Sequence, residues 1–280
     1  MKRAGSRDFL SALLRAATWL AAGVTAGVML LVVGCILVKG LVSLTPELFA
    51  WKYTSDNCSM VPALLGTLAM TALTLAIAAP LGVFAAVYLA EYAPKSSRLV
   101  KLVRVTSETL SGIPSIVYGL FGYLFFLTRL GWGYSLLSGA CTLAIMILPL
   151  IMRTTEEALL AVDPMYREGS FGLGAGRLRT VFRIVLPSAV PGILSGVILA
   201  VGRIVGETAA LMYTAGTAPN LPTGLFTSVR TLSVHMYTLS CEGLHINQAY
   251  ATAAVLLIVV AAINGLSSLA ARRLTRGQRL

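Results

Sequence analysis

Apolar residues in this chain come in long unbroken runs, not in the alternating or three-to-four-residue rhythms of a water-soluble protein. The first run covers 17–41 and follows a stretch that carries Lys2, Arg3, Arg7 and Arg15. Others cover 63–90, 111–128, 135–152, 188–212 and 249–271. A bilayer core of roughly 30 Å needs about 20 mostly apolar residues per helical crossing. The pattern therefore predicts an all-α polytopic membrane protein with about six transmembrane helices. They would form one membrane domain over 17–271, between an N-terminal segment 1–16 and a basic tail 272–280. Pro80 and Gly82 fall inside the second run; both are tolerated in a membrane helix when neighbours satisfy the freed carbonyl. The first run is longer than the 7–15-residue apolar stretch of a signal peptide, which predicts an uncleaved anchor.

Composition agrees: 57% of the 280 residues are hydrophobic and 12% are charged, where soluble proteins carry about 25% charge. Mean hydropathy is +0.83. The net charge is +11, but the cations sit between apolar runs and not on a water-facing patch, so nucleic-acid binding is excluded. Residues 1–16, 91–108, 153–187 and 272–280 hold 17 of the 22 Lys and Arg. Of the rest, Lys39, Lys52, Arg129 and Arg230 fall on the other side. The positive-inside bias then places both termini in the cytoplasm, which requires an even number of crossings.

Four cysteines are present, and none forms a CxxC pair, so no zinc or redox site is expected. Cys35 and Cys141 lie in apolar runs and read as small hydrophobes. Cys58 and Cys241 fall in the two longer connections on one side, and a disulfide between them is an expectation to test. His235 and His245 fall in the same outer connection and are expected to be solvated.

The connection 153–187 is the longest charged segment. Asp163-Pro164 has the chemistry of a helix start, with Asp163 as N-cap and Pro164 in the first turn. Gly172, Gly174 and Gly176 would end that short helix. The stretch 177–183 is basic and amphipathic, and Leu186-Pro187 returns the chain to the membrane. The stretch also lacks the Gly-Lys-Ser/Thr of a nucleotide loop. Its spacing resembles the Glu-Ala-Ala loop of ABC-importer permeases, which runs Glu-Ala-Ala, three residues, Gly, nine residues, then Ile-x-Leu-Pro. The matching positions are Glu168, Gly169, Ser170, Gly174, Ile184, Leu186 and Pro187, with Gly169 and Ser170 in place of the alanines. The resemblance implies a coupling helix that docks on a separate ATPase subunit. A generic amphipathic interfacial loop is the bland alternative.

The run 188–212 contains Arg203 and Glu207. A charge at a helix centre in the membrane is costly and marks function or a structural pair. Continuous helix would put these two residues, four apart, on one face, where they can pair. Arg203, Glu207 and Thr208 are the candidates for the substrate pathway, since an arginine fork suits an oxyanion. A structural ion pair at a subunit interface is the equal alternative. Gly192, Gly196 and Ala200 share nearly the same face and allow close helix packing.

Further strings carry a more specific resemblance. They are Gly66-Thr67-Leu68, Pro80-Leu81-Gly82-Val83, Tyr88-Leu89-Ala90-Glu91-Tyr92, 113–120 (Ile-Pro-Ser-Ile-Val-Tyr-Gly-Leu) and 206–211 (Gly-Glu-Thr-Ala-Ala-Leu). Together they resemble the PstA family, the A-type permeases of phosphate-specific ABC importers, from about residue 66 onward. Ala210 stands where that family usually has proline. The resemblance implies a type I importer fold in a bacterial inner membrane and inorganic phosphate as substrate. It implies a PstC-like sister permease, a PstB-like ATPase dimer and a PstS-like periplasmic phosphate-binding protein as partners. No cofactor is then expected on this chain, with ATP and magnesium on the ATPase, and the chain itself would be a transport subunit and not an enzyme. It also implies that the intramembrane Arg and Glu, matching Arg203 and Glu207, serve transport. Pro114 would break a helix or merely kink it, and Tyr118 and Tyr123 read as packing or interfacial aromatics. The alternatives are a permease for sulfate or molybdate, a scaffold or channel without an ATPase, and a membrane enzyme. No metal cluster or Ser-His-acid arrangement is visible to support the last.

Overall fold

A computed structural model describes residues 2–94 and 97–276, with side chains described over 11–94, 97–266 and 268–269. Lys95 and tail residues 277–280 lie outside the described residues, as do the side chains of Lys2, Arg3, Arg7, Arg272, Arg273 and Arg276. The described elements are helical: α1 (Lys2–Val42), α2 (Val61–Val87), α3 (Arg98–Ser111), α4 (Ser115–Gly122), α5 (Leu136–Leu160), α6 (Pro164–Gly172), α7 (Arg177–Thr180), α8 (Leu186–Gly206), α9 (Ala209–Thr214), α10 (Leu232–Glu242) and α11 (Ile246–Arg276). Single π-helical stretches extend α2 over Tyr88–Tyr92 and α4 over Tyr123–Arg129, and join α7 to α8 over Val181–Val185.

Among the described residues, five stretches are long and apolar enough to cross a membrane: Ser11–Val42, Val61–Tyr92, Leu136–Leu160, Arg177–Gly206 and Ile246–Leu266. The third predicted run behaves differently. Arg98–Ser111 and Ser115–Arg129 form a pair bent by 101°. Pro114 makes the bend: its backbone is extended (ψ 140°) and it caps α4, and proline has no N–H to continue the ladder. The Tyr118 hydroxyl reaches back across the bend at 2.8 Å to the Leu110 carbonyl, which also accepts from Ile113 N–H at 3.1 Å. Pro114 is thus a true break, and Tyr118 is the buried strut that holds it.

The helix that contains the fifth apolar run starts at Arg177, earlier than the run's beginning at 188 suggests. Pro187 cannot donate and its ring crowds the preceding turn. The wider π-turn over Val181–Val185 absorbs the ring, so the helix runs on.

α5 is the central helix. Leu143, Ile147 and Ile151 are wholly buried. In lipid, helices associate through close packing and not through expulsion of water, so small residues mark the seams. A Cβ added at Gly82 of α2 would lie 2.8 Å from Ile151 Cγ2, and one at Gly192 of α8 would lie 2.6 Å from Ala158 Cβ. Gly196 abuts Thr154 in the same way, and Ala200 is buried, so the stripe Gly192–Gly196–Ala200 is the α8–α5 seam. α1 lies outside this bundle, resting on α11 where Gly40 meets Ala254 and Lys39 stands over the Tyr250 ring.

The connection 213–248 is not an open polar loop. It folds back onto the bundle through α9 and α10. Ser135 caps the start of α5 by accepting from Ser138 N–H, and the free Leu136 and Leu137 N–H groups of the same turn donate to the Thr227 and Leu225 carbonyls at 2.9 Å. Leu232 N–H donates to Thr67 Oγ1 at 2.8 Å. His235 is consequently buried, not solvated. Arg230 Nη1 donates to its Nδ1 at 3.0 Å, and its Nε2 donates to the Cys58 carbonyl at 3.3 Å. Arg230 also donates to the Thr217 carbonyl and lies over the Tyr53 ring. Burial, then the Arg230 charge, lowers the His235 pKa to about 4.

The expected disulfide is absent: Cys58 and Cys241 are both free thiols. Cys58 is buried, and its Sγ donates to the Ser55 carbonyl. Cys241 lies six residues beyond His235 on α10, about 9 Å further along the axis, on the exposed side.

Candidate functional site

Two places in this fold carry chemistry. The first is the hairpin formed by α6 and α7 at the strongly basic end of the bundle. Asp163 caps α6, accepting from Met165 N–H at 2.9 Å, with Pro164 in the first turn. The helix ends in a Schellman turn: Gly174 N–H donates to the Phe171 carbonyl at 2.9 Å and Ala175 N–H to the Ser170 carbonyl at 3.1 Å. This turn demands a left-handed residue just past the cap, and Gly174 supplies it at φ +82°. The glycine of the spacing motif is thus a geometric requirement.

The other motif residues divide by exposure. Glu168 and Gly169 face solvent, and a Cβ at Gly169 would meet nothing within 4 Å. Ser170 turns inward, its hydroxyl 2.8 Å from Thr180 Oγ1 across the hairpin. Ile184, Leu186 and Pro187 are half-buried where the chain re-enters the bundle. A surface unforeseen in the motif surrounds Glu168: Met165, Tyr166, Phe171 and Leu173 are all exposed, Leu173 by 91%. Met165, Tyr166 and Leu173 border a cavity of about 600 Å³ lined also by Arg179 and Arg183. An exposed apolar patch rimmed by charge on a water-facing loop is the signature of a docking surface.

The hairpin is tied to the spans by residues that sequence reasoning missed. Glu91, 9% exposed, accepts from Arg167 Nη2 at 2.6 Å and Nε at 3.2 Å. Arg167 also donates through Nη1 to the Val162 carbonyl and through Nη2 to the Leu159 carbonyl, both at 2.8 Å. Arg177 donates to the Glu91 carbonyl and lies over the Tyr92 ring. Glu91 stands 76 positions from Arg167 in sequence, so no local pattern links them. Nearby, Arg104 of α3 pairs with Glu156 of α5 at 2.5 Å.

The second place is the end of α8. The helix stops at Gly206, and Glu207 is extended (ψ 129°). Glu207 Oε1 accepts from Ala210 N–H at 3.1 Å, so its carboxylate caps α9, and its carbonyl accepts from Ser233 Oγ at 2.6 Å. The pairing of Arg203 with Glu207 expected from continuous helix therefore does not form, because the break swings the carboxylate away. Among the described residues, no carboxylate lies within ion-pair distance of Arg203, which is half-buried. Thr208 is half-buried at the break, with its hydroxyl toward the Gly206 carbonyl. α4 crosses this break closely, since a Cβ at Gly119 would meet Ala210 Cα at 2.9 Å.

Residues 78–280 match the family described as binding-protein-dependent transport system inner membrane component. A probable ABC transporter permease protein, YqgI of Bacillus subtilis, is 41% identical over 209 residues, covering 69% of this chain and 70% of that protein. Phosphate transport system permease protein PstA 1 of Mycobacterium tuberculosis is 35% identical, covering 78% and 71%. Phosphate transport system permease protein PstA of Haemophilus influenzae is 32% identical, covering 82% of each. Among solved structures, a chain of a bacterial alginate ABC transporter superposes with a TM-score of 0.65 at 18% identity, over 93% of this chain and 96% of that one. A chain of the MetNI methionine ABC transporter in an inward-facing conformation superposes with a TM-score of 0.61 at 22% identity, over 77% and 95%. These two likenesses establish the type I importer permease fold.

Proposed function

The chain belongs to the family of binding-protein-dependent transport system inner membrane components, and we propose that it forms half of the translocation pathway of an ATP-driven phosphate importer. The observation that carries the coupling part of this reading is the α6 hairpin. It is anchored at its base by Arg167 while Met165, Tyr166, Phe171 and Leu173 project into solvent around Glu168. An ATPase subunit, which would hold ATP and magnesium, docks there. With the hairpin in the cytoplasm both termini are cytoplasmic too, in agreement with the charge bias. A sister permease completes the pathway, and a periplasmic binding protein delivers substrate to the opposite end.

Phosphate as the substrate is supported by the named relatives and by Arg203. Among the described residues its guanidinium has no carboxylate partner, so its planar fork is available to an oxyanion. Glu207 and Thr208 shape the break beside it. The experiment is uptake of labelled phosphate and sulfate in cells lacking this chain. Loss of phosphate uptake alone supports the reading, and loss of sulfate uptake alone, or of neither, overturns it. Arg203→Lys at normal membrane levels separates the anion role: unchanged phosphate uptake removes it.

A further inference from the structure

The Arg167 side chain joins three separate elements, its own and two others. It lies in α6, pairs with Glu91 at the π-helical end of the second crossing, and caps the Leu159 and Val162 carbonyls at the end of α5. We infer that Arg167 is the joint through which displacement of α6 is passed to the two most tightly packed helices of the bundle. This inference rests on the reading that α6 docks on an ATPase.

The chemistry favours a single arginine in this role. A guanidinium offers five N–H donors in a rigid plane, whereas an ammonium is a point charge with no fixed directions. Arg167 uses donors on all three nitrogens, toward acceptors of two different helices. Arg177 adds a second tie from the far side of the Gly174 turn to the same residue, through the Glu91 carbonyl. Both arms of the hairpin therefore converge on Glu91. The π-turn over Tyr88–Tyr92 closes with Ala93 N–H on the Tyr88 carbonyl at 2.9 Å. Such single wide turns inside or at the end of helices recur at functional positions, and this one carries Glu91.

Arg167 is a positioning residue: its donors go to Glu91, Val162 and Leu159 of its own chain. A purely structural role would lower the amount of assembled complex without changing how many ATP molecules are spent per substrate moved. A joint changes that ratio. The test uses the assembled transporter in proteoliposomes, with ATP hydrolysis and labelled phosphate uptake measured on the same preparation. Arg167→Lys keeps the charge but not the plane, and is expected to raise the ATP-to-phosphate ratio by about tenfold, a usual size for coupling between sites. Glu91→Gln keeps one acceptor and is expected to raise it less. If Arg167→Lys does not assemble, Glu91→Gln carries the test. Arg104→Lys disturbs the neighbouring Arg104–Glu156 pair, which does not reach α6, and leaves the ratio unchanged. An intact complex of Arg167→Lys or Glu91→Gln with an unchanged ratio overturns the joint alone. A wild-type complex that never retains an ATPase overturns the docking reading, and the joint with it.

Discussion

The hydroxyls of Ser170 and Thr180 meet at 2.8 Å inside the α6–α7 hairpin, and both residues are buried. Serine stands where the resembled motif has alanine, and its extra oxygen has a partner. Removing one partner of a buried neutral hydrogen bond costs about 1 kcal/mol. Ser170→Ala is expected to lower thermal stability by that amount. Ser170→Ala combined with Thr180→Val is expected to cost less than the two changes separately, as read from a double-mutant cycle of melting curves in detergent. Strict additivity of the two changes would contradict the contact.

Gly174→Ala places a Cβ on a residue at φ +82°. A side chain in this conformation costs about 1–2 kcal/mol. The Schellman turn loosens and the hairpin frays. The expected result is weaker co-purification of the ATPase with a nearly normal yield of membrane-inserted chain.

Leu173, 91% exposed, supports nothing within its own chain. Leu173→Asp should therefore change the chain's own stability by no more than about 0.5 kcal/mol. It should nevertheless abolish ATPase binding if the patch is a docking surface. Comparing melting temperature with ATPase recovery on one preparation checks both halves.

Arg203 and Glu207 do not pair in this structure, since the carboxylate caps α9. Their effects on phosphate uptake should then be independent. In a cycle built from Arg203→Gln, Glu207→Gln and the double variant, the coupling energy from uptake rates is expected to stay within about 0.5 kcal/mol. A larger value would indicate an ion pair formed in another state of the transport cycle.

His235 is held neutral between Arg230 and the Cys58 carbonyl, with its pKa lowered from 6.5 to about 4. The unfolded chain binds this proton below pH 6.5, and the folded chain does so only near pH 4. Between those values the unfolded state holds more protons, so stability falls as the pH falls through the window and is complete above it. The loss approaches about 3 kcal/mol at the acid end. Melting curves from pH 7 to pH 4 should show this decline in the wild type and a shallower one in His235→Gln.

Much of the architecture was legible in the sequence because lipid imposes a simple rule of long apolar runs. The Asp163 cap, the Gly174 turn and the Gly192–Gly196–Ala200 seam were legible because each follows from local backbone needs. The rest was set by contacts distant in sequence. Nothing near Glu91 points to Arg167. His235 and Arg230 read as polar loop residues until α10 folds back onto α2. The break at Glu207 falls within an apolar run, where hydropathy carries no information about a missing turn. The same limit hid the sharpness of the Pro114 bend and the early start of the helix leading into α8.

If the pair bent at Pro114 makes one crossing, the segment beyond the bend makes it alone. The part beyond it consists of eight α-helical and seven π-helical residues, at most about 22 Å long. That is roughly 8 Å less than an ordinary hydrocarbon core. Lipid beside such a short crossing thins to meet it, at a cost that grows with each ångström of mismatch. Acyl-chain length in the surrounding membrane thereby becomes a variable that sets how easily the transporter keeps this shape, and thinner bilayers favour it.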